Sequence, residues 1–97
     1  MPTYVALLNW TDQGVKNFKD TVDRYEAAQE TVGKLGVSFS DIYWTIGPYD
    51  IVGIMNAPDD ETATAAMLSV GGQGNIRSTT LRAFSASEMR SVLEKAS

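Results

Sequence analysis

Gly47-Pro48-Tyr49-Asp50 lies between two apolar runs, Ile42–Ile46 and Ile51–Met55, and decides how the rest of the chain is arranged. The proline fixes one backbone angle near the value that a turn needs, and the glycine before it avoids the crowding that a bulkier residue would suffer there. The carboxylate of Asp50 can accept hydrogen bonds from free amides of the turn. The stretch therefore predicts the loop of a β-hairpin in the middle of the fold.

Periodicity places the other elements around this hairpin, in the order βαββαβ with a C-terminal helix. Strands are predicted where apolar residues alternate or run on without a break: 4–10, 37–46, 50–56 and 76–84. Helices are predicted where apolar residues recur every three or four positions: about 21–35, from Asp59 to about 70, and from Ser85 onward. Glu88 follows Ser85 at capping-box spacing. A change of phase near Ser40 predicts a β-bulge, and Gly53 leaves room for a close approach.

Two βαβ halves joined by a hairpin predict a ferredoxin-like α+β sandwich, in which a four-stranded antiparallel sheet carries helices on one face. Parity assigns one set to the helix-covered face: Val5, Leu7, Ile42, Trp44, Ile46, Val52, Ile54, Leu81 and Ala83. The other face receives a mixed set: Tyr4, Ala6, Leu8, Trp10, Tyr43, Thr45, Ile51, Gly53, Met55, Ser78, Thr80 and Arg82. Large apolar side chains in water forgo about 1.5–3 kcal/mol each. We therefore expect a second copy to cover this mixed face, in a dimeric α/β-barrel type of association.

The composition excludes several kinds of chemistry. The 97 residues, which we expect to form a single domain over 1–97, include no cysteine and no histidine. Disulfides, thiolate catalysis and metal or haem sites held by these residues are therefore excluded, and we expect no cofactor. A net charge of −4 without a basic cluster argues against nucleic acid as a partner. No apolar run approaches the roughly 18 residues of a membrane span, and no signal peptide is evident, so a cytoplasmic location is expected.

Six polar or aromatic residues are the candidates for a ligand site in the predicted chamber between two sheets: Trp10, Tyr43, Tyr49, Asp50, Thr80 and Arg82. Arg82 is the strongest of them because a guanidinium can hold a carboxylate or another anion by two-point contact. The alternative for Arg82 is an ion pair between subunits, with Asp41 or Asp50 as its partner.

The other candidates also have two interpretations each. Trp10 and Tyr43 can stack on an aromatic ligand, or they can belong to the core of a subunit interface. Tyr49 and Asp50 can lie at the mouth of the chamber, or they can serve the turn alone. Thr80 offers a hydroxyl to a ligand. The chain has no histidine to activate that hydroxyl, so nucleophilic catalysis is not expected.

Three segments taken together resemble a known family. They are Tyr4–Trp10 followed by Thr11-Asp12-Gln13-Gly14, the central Gly47-Pro48-Tyr49-Asp50, and Asn75-Ile76-Arg77 leading into Thr79–Phe84. The chain resembles the GYD-domain family in these segments, which as a set span essentially its whole length. That family is similar to dimeric α/β-barrel proteins. The resemblance thus implies the fold and a paired association, and it implies no reaction, substrate or catalytic residue.

Three functions remain open at this point. The first is a non-catalytic homo-oligomer that holds a small anionic or aromatic metabolite between its sheets through Arg82, Tyr43 and Thr80. The second is a cofactor-free enzyme for a small organic substrate, in which Tyr43, Asp50 and Arg82 stabilise an enolate or oxyanion. The third is a structural or regulatory oligomer with a filled interior and no ligand.

Overall fold

The computed structural model describes residues 1–97, which form four strands and four α-helices. In chain order these are β1 (Thr3–Trp10), α1 (Asp12–Lys16), α2 (Thr21–Gly33), β2 (Ser38–Trp44), β3 (Ile51–Asn56), α3 (Asp60–Gly71), β4 (Ile76–Ala83) and α4 (Ala86–Ala96). Neighbouring strands are all antiparallel, in the order β2-β3-β1-β4. This element order and strand order are those of a ferredoxin-like α+β fold with a C-terminal helix, as the sequence predicted.

Local hydrogen bonds explain where the longer helices begin and end. Asp59 caps α3 by accepting a hydrogen bond from the amide of Thr62 at 2.7 Å. Ser85 and Glu88 form the predicted capping box at the start of α4. Gly36 follows α2 with a φ of 78°, a conformation that favours glycine. Both caps and the glycine stop are therefore confirmed, although α2 ends two residues earlier than predicted.

The short helix α1 was not predicted, because its first residues carry turn chemistry. Thr11 accepts a hydrogen bond from the amide of Gly14 at 3.1 Å, and so acts as a helix cap. A Cβ at Gly14 would lie 1.9 Å from the carbonyl oxygen of Asn75. The glycine is thus required by a close approach between α1 and the start of β4, where Thr11 also donates its amide to Asn75.

The predicted β-bulge in β2 is confirmed by a register shift between Phe39 and Asp41. The extra residue allows Phe39, which pairs with Met55, and Ile42, which pairs with Gly53, to point to the same side of the sheet. A Cβ at Gly53 would lie 3.0 Å from a ring carbon of Phe39 and 3.0 Å from the terminal methyl of Ile42. The close approach predicted at Gly53 is therefore also confirmed.

The assignment of faces was wrong for β1, β3 and β4, which turn the opposite parity toward the helices. The core consists of strand and helix residues that are almost fully buried: Tyr4, Ala6, Leu8, Val32, Val37, Phe39, Ile51, Met55, Ala57, Ala63, Ala66 and Met67. The prediction was correct for Ile42 and Trp44 of β2 and wrong for Ile46, which lies beyond the end of this strand and is fully exposed. Alternation could not decide the rest, because β1 and β3 are apolar at both parities. The small residues Ala6 and Gly53 decide it, since a layer of side chains can pack closely only above them.

Five residues wrongly expected under the helices instead form an uncovered surface, together with Tyr43, which was correctly expected on the side away from the helices. We call this surface the open face and define it as Val5, Leu7, Tyr43, Val52, Ile54 and Leu81. The first row across it is Ile54, Val5 and Leu81, as the pairing of β3, β1 and β4 requires. None of these six side chains is buried.

Candidate functional site

The predicted site residues do not converge, because the corrected faces separate them. Arg82, Thr80 and Trp10 lie on the helix side of the sheet, opposite Tyr4, Ala6 and Ile76 in the pairing of β1 with β4. Tyr43 lies on the open face and is 61% exposed. Tyr49 and Asp50 lie in the turn before β3, where both are half-buried. The residues are therefore distributed over a groove, an inner cavity, the open face and the turn.

Asp50 is held by the backbone of β1, so the expectation that its carboxylate accepts from amides of the turn was wrong. Its carboxylate Oδ2 accepts a hydrogen bond from the amide of Trp10 at 2.9 Å, and its own amide donates to the carbonyl of Leu8 at 2.9 Å. Its carbonyl accepts from the amide of Thr45 at 2.8 Å. Asp50 therefore joins the hairpin turn to the end of β1, and its carboxylate binds an amide 40 positions away.

Arg82 and Thr80 line a groove of about 690 Å³ between α3 and β4. The groove exists because β4 is an edge strand and α3 covers only part of it. Ser78 adds a second hydroxyl, which lies 2.6 Å from that of Thr80. These donors can bind a polar ligand, and no base lies within hydrogen-bond distance of either hydroxyl.

A tyrosine–carboxylate pair closes one end of the groove, and the sequence did not reveal it. The Tyr4 hydroxyl donates to Asp60 Oδ1 at 2.5 Å across 56 positions of sequence. Burial raises the pKa of Tyr4 to about 12, and the hydrogen bond to Asp60 adds to the effect. The phenol therefore stays protonated near neutral pH, so it can donate a hydrogen bond and cannot act as a base.

Arg82 is engaged within its own chain. Its guanidinium donates to the carbonyls of Thr3, at 3.3 Å, and Ala83. It lies 4.7 Å from the ring centroid of Phe84 and 3.8 Å from a carboxylate oxygen of Glu88. The hydrogen bonds from Ser85 in the capping box, and then the charge of Arg82, hold the pKa of Glu88 below its usual value. Arg82 therefore fixes the direction in which α4 leaves β4.

The helix α4 has no partner in the chain for its apolar side. It makes at most sparse contact with other helices and strands, and none of its residues is buried. Met89, Val92 and Leu93 recur at helical spacing and are 42%, 37% and 56% exposed. We call these three residues the α4 stripe. The molecule measures 50 × 31 × 18 Å, and its radius of gyration of 14.5 Å exceeds the roughly 12.5 Å of a compact chain of this length.

No group of three acidic residues comes close enough together to hold a metal ion. No helix has both the length and the apolar character that crossing a membrane requires.

The fold and its surfaces define a small α+β protein of ferredoxin-like topology with an uncovered sheet face. The chain belongs to the GYD-domain family, because the family model for the GYD domain matches residues 4–93. It is 32% identical over 90 residues to a protein of Thermus thermophilus named "Glutamine synthetase and cystathionine beta-lyase binding protein". That match covers 92% of this chain and 95% of the relative.

A solved structure supports the fold. The crystal structure of TTHA0845 from Thermus thermophilus matches 89% of this chain and 96% of that chain, with a TM-score of 0.58. The two sequences are 24% identical in this comparison, so the likeness concerns the fold alone.

Proposed function

We propose that this GYD-domain protein is a non-catalytic binding protein that acts as a homodimer and attaches to other proteins. The observation that carries the proposal is the open face, an apolar surface on a single-layer sheet that the protein's own helices leave uncovered. Polar residues surround it, with Thr3 and Asn56 at one end and Asn9 and Arg77 at the other. An apolar centre with a polar rim is the usual anatomy of a protein interface.

The area of the open face indicates how the second copy is bound. Four strands about 4.8 Å apart and about six residues long present roughly 400 Å², whereas a standard interface buries about 800 Å² on each partner. The sheet alone therefore supplies about half of what a stable dimer needs. The α4 stripe can supply more of it, and a helix of 11 residues is marginal in water without packing. We propose that the same dimer covers both surfaces.

The relative suggests what kind of partner the dimer binds. Its name states that it binds glutamine synthetase and cystathionine β-lyase. We propose that this chain likewise binds an enzyme as a protein partner. The lack of histidine and cysteine, and the protonated Tyr4 phenol, support a role in binding over one in catalysis.

Binding to the two enzymes named for the relative tests this function. Glutamine synthetase and cystathionine β-lyase from the organism of this chain are titrated against the immobilised full-length protein, with serum albumin as the control for non-specific adsorption. We expect saturable binding of at least one enzyme. If neither enzyme binds at about 100 µM, where a complex of about 5.5 kcal/mol or stronger is detectable, the protein-partner proposal is wrong.

A metabolite site is a second candidate function, favoured by the groove between α3 and β4. Arg82 and Thr80 share this groove with Ser78, so an anionic ligand would bind there on the helix side of the sheet. A thermal-shift screen of small carboxylates and phosphates tests it, because a ligand at about 100 times its dissociation constant adds about 2.7 kcal/mol. We expect the shift to shrink in Thr80→Val. A screen without any shift, or an unchanged shift in that variant, contradicts the groove as a ligand site.

A further inference from the structure

A second cavity, of about 60 Å³, lies between α2 and the sheet on the helix side. Its walls are mainly apolar and include four aromatic residues: Trp10, Tyr25, Phe39 and Trp44. The ring of Tyr25 stands edge-on to those of Phe39 and Trp44, with centroids 6.4 and 6.0 Å apart. This arrangement fixes the aromatic side chains, so the cavity is a formed feature of the fold.

A positive charge without a counter-ion borders this cavity. Arg24 of α2 lines it, and its guanidinium donates to the carbonyls of Asn17 at 2.6 Å and Gly14 at 3.2 Å. These two contacts use two of the five N–H donors of an arginine. No carboxylate lies within 4 Å of Arg24, since the one ion pair of the chain is that of Arg82 with Glu88. Arg24 is thus free to hold an anion at the edge of an apolar cavity.

The two tryptophans of the cavity differ in whether their indole N–H has a hydrogen-bond acceptor. The indole Nε1 of Trp44 donates to Thr21 Oγ1 at 3.0 Å. The indole Nε1 of Trp10 is buried and has no acceptor, and it is the only buried side-chain nitrogen or oxygen in this state. A buried donor without a partner costs about 1–3 kcal/mol. An oxygen atom that reaches this N–H therefore gains an interaction that the protein alone leaves unmade.

We propose that the cavity binds a small monocarboxylate whose apolar end is branched and has about three carbons. A cavity of about 150 Å³ holds benzene, so one of about 60 Å³ takes a group about half that size. The branched end lies among the aromatic walls, and the carboxylate lies against Arg24. One carboxylate oxygen accepts the Nε1–H of Trp10 after a small rotation of the indole. The inference does not rest on dimer formation, because the open face is on the other side of the sheet.

Isovalerate is the probe for this site, and isovaleramide is its neutral match of the same shape. The ¹⁵N-labelled full-length protein is titrated with each, and the two indole N–H resonances are followed. We expect saturable binding of isovalerate at least about tenfold tighter than that of isovaleramide, because a hydrogen bond to a charged group is worth about 1.5–3 kcal/mol. The Trp10 resonance should move more than that of Trp44. Cyclohexylacetate, whose ring exceeds the cavity, should bind more weakly than isovalerate.

Arg24→Gln should abolish the preference for the acid, and saturable binding of isovaleramide that remains in this variant shows that the cavity is intact. Arg90→Gln on α4, which removes an arginine remote from the cavity, should keep the preference. The proposal is overturned by any of three results. These are no saturation up to about 50 mM isovalerate, equal affinity for acid and amide in the unmodified protein, or an unchanged preference in Arg24→Gln. The first two need no variant, so a variant that fails to fold does not prevent the test.

Discussion

The two faces of the sheet carry similar apolar residues and have opposite environments. On the helix side, Ala6 and Met55 are 0% exposed, whereas Tyr43 and Leu81 on the open face are 61% and 47% exposed. Hydrophobicity alone therefore does not determine which face the helices cover. The face with the smallest residues is the one on which a helix layer can pack closely, while the other face needs a partner of its own.

The largest expected difference between the two faces is the loss of monomer stability when one large side chain is truncated to alanine. Met55→Ala removes a side chain that is fully buried beneath the helices, and this should cost about 2–5 kcal/mol of the free energy of unfolding. Its neighbour Ile54 lies on the open face, so Ile54→Ala is the matched control. Urea denaturation at low protein concentration measures both. An equal loss in the two variants would contradict the assignment of faces.

A charge on the open face should affect association and leave the fold intact. In Val52→Lys, two lysines per dimer would be buried in an apolar interface, which we expect to raise the dissociation constant at least about hundredfold. Lys34→Glu, an exposed change just after α2, reverses a charge away from the interface and serves as the control. Light scattering after gel filtration gives the mass of each variant, and circular dichroism checks that both are folded. If the lysine variant associates as strongly as the control, the open face is not the interface.

We expect the hydrogen bonds between Asp50 and β1 to help fix the register in which β3 pairs with β1. A slip of one residue in this register would turn every side chain of a strand to the other face of the sheet. Asp50→Ala leaves the amide of Trp10 without its carboxylate acceptor, and we expect a loss of about 1.5–3 kcal/mol. Asp50→Asn keeps an acceptor oxygen and should lose less. Thermal or urea unfolding compares the variants, and an unchanged stability in Asp50→Ala would show that the register has another determinant.

The smallest expected effect is the pH dependence of stability that arises from the N-terminal cap of α3, a helix on the covered side of the sheet. Hydrogen bonds from Thr62 lower the pKa of the Asp59 carboxyl from its ordinary 3.8. The pKa of Asp59 is thus lower in the folded protein than in the unfolded chain. The ionised cap therefore stabilises the protein fully at pH values above the unfolded-state pKa. This stabilisation is lost as the pH falls through the folded-state pKa. Asn also caps a helix and does not titrate. Between about pH 5 and pH 3, Asp59→Asn should lose less stability than the natural protein. Parallel losses would contradict the proposed role of this carboxylate.

The sequence was informative where the structure depends on neighbouring residues. The central turn, the bulge near Ser40, the cap at Ser85 and the close approach at Gly53 each follow from a short pattern, and the structure confirms them. The faces could not be derived, because alternation gives no information when both parities of β1 and β3 are apolar.

Contacts between residues that are far apart in sequence were also missed, because no short sequence pattern indicates them. Nothing local links Tyr4 to Asp60 or Asp50 to the amide of Trp10. Arg24 is a polar position on an amphipathic helix, and only the fold shows that it borders a cavity without a carboxylate partner.

The mass of the full-length protein in dilute solution tests most directly whether a second copy covers the open face. Sedimentation equilibrium at micromolar concentration should give about 21 kDa or a multiple of it, twice the 10.5 kDa of one chain. A mass of 10.5 kDa at every concentration, with the open face still accessible to solvent, would contradict the account.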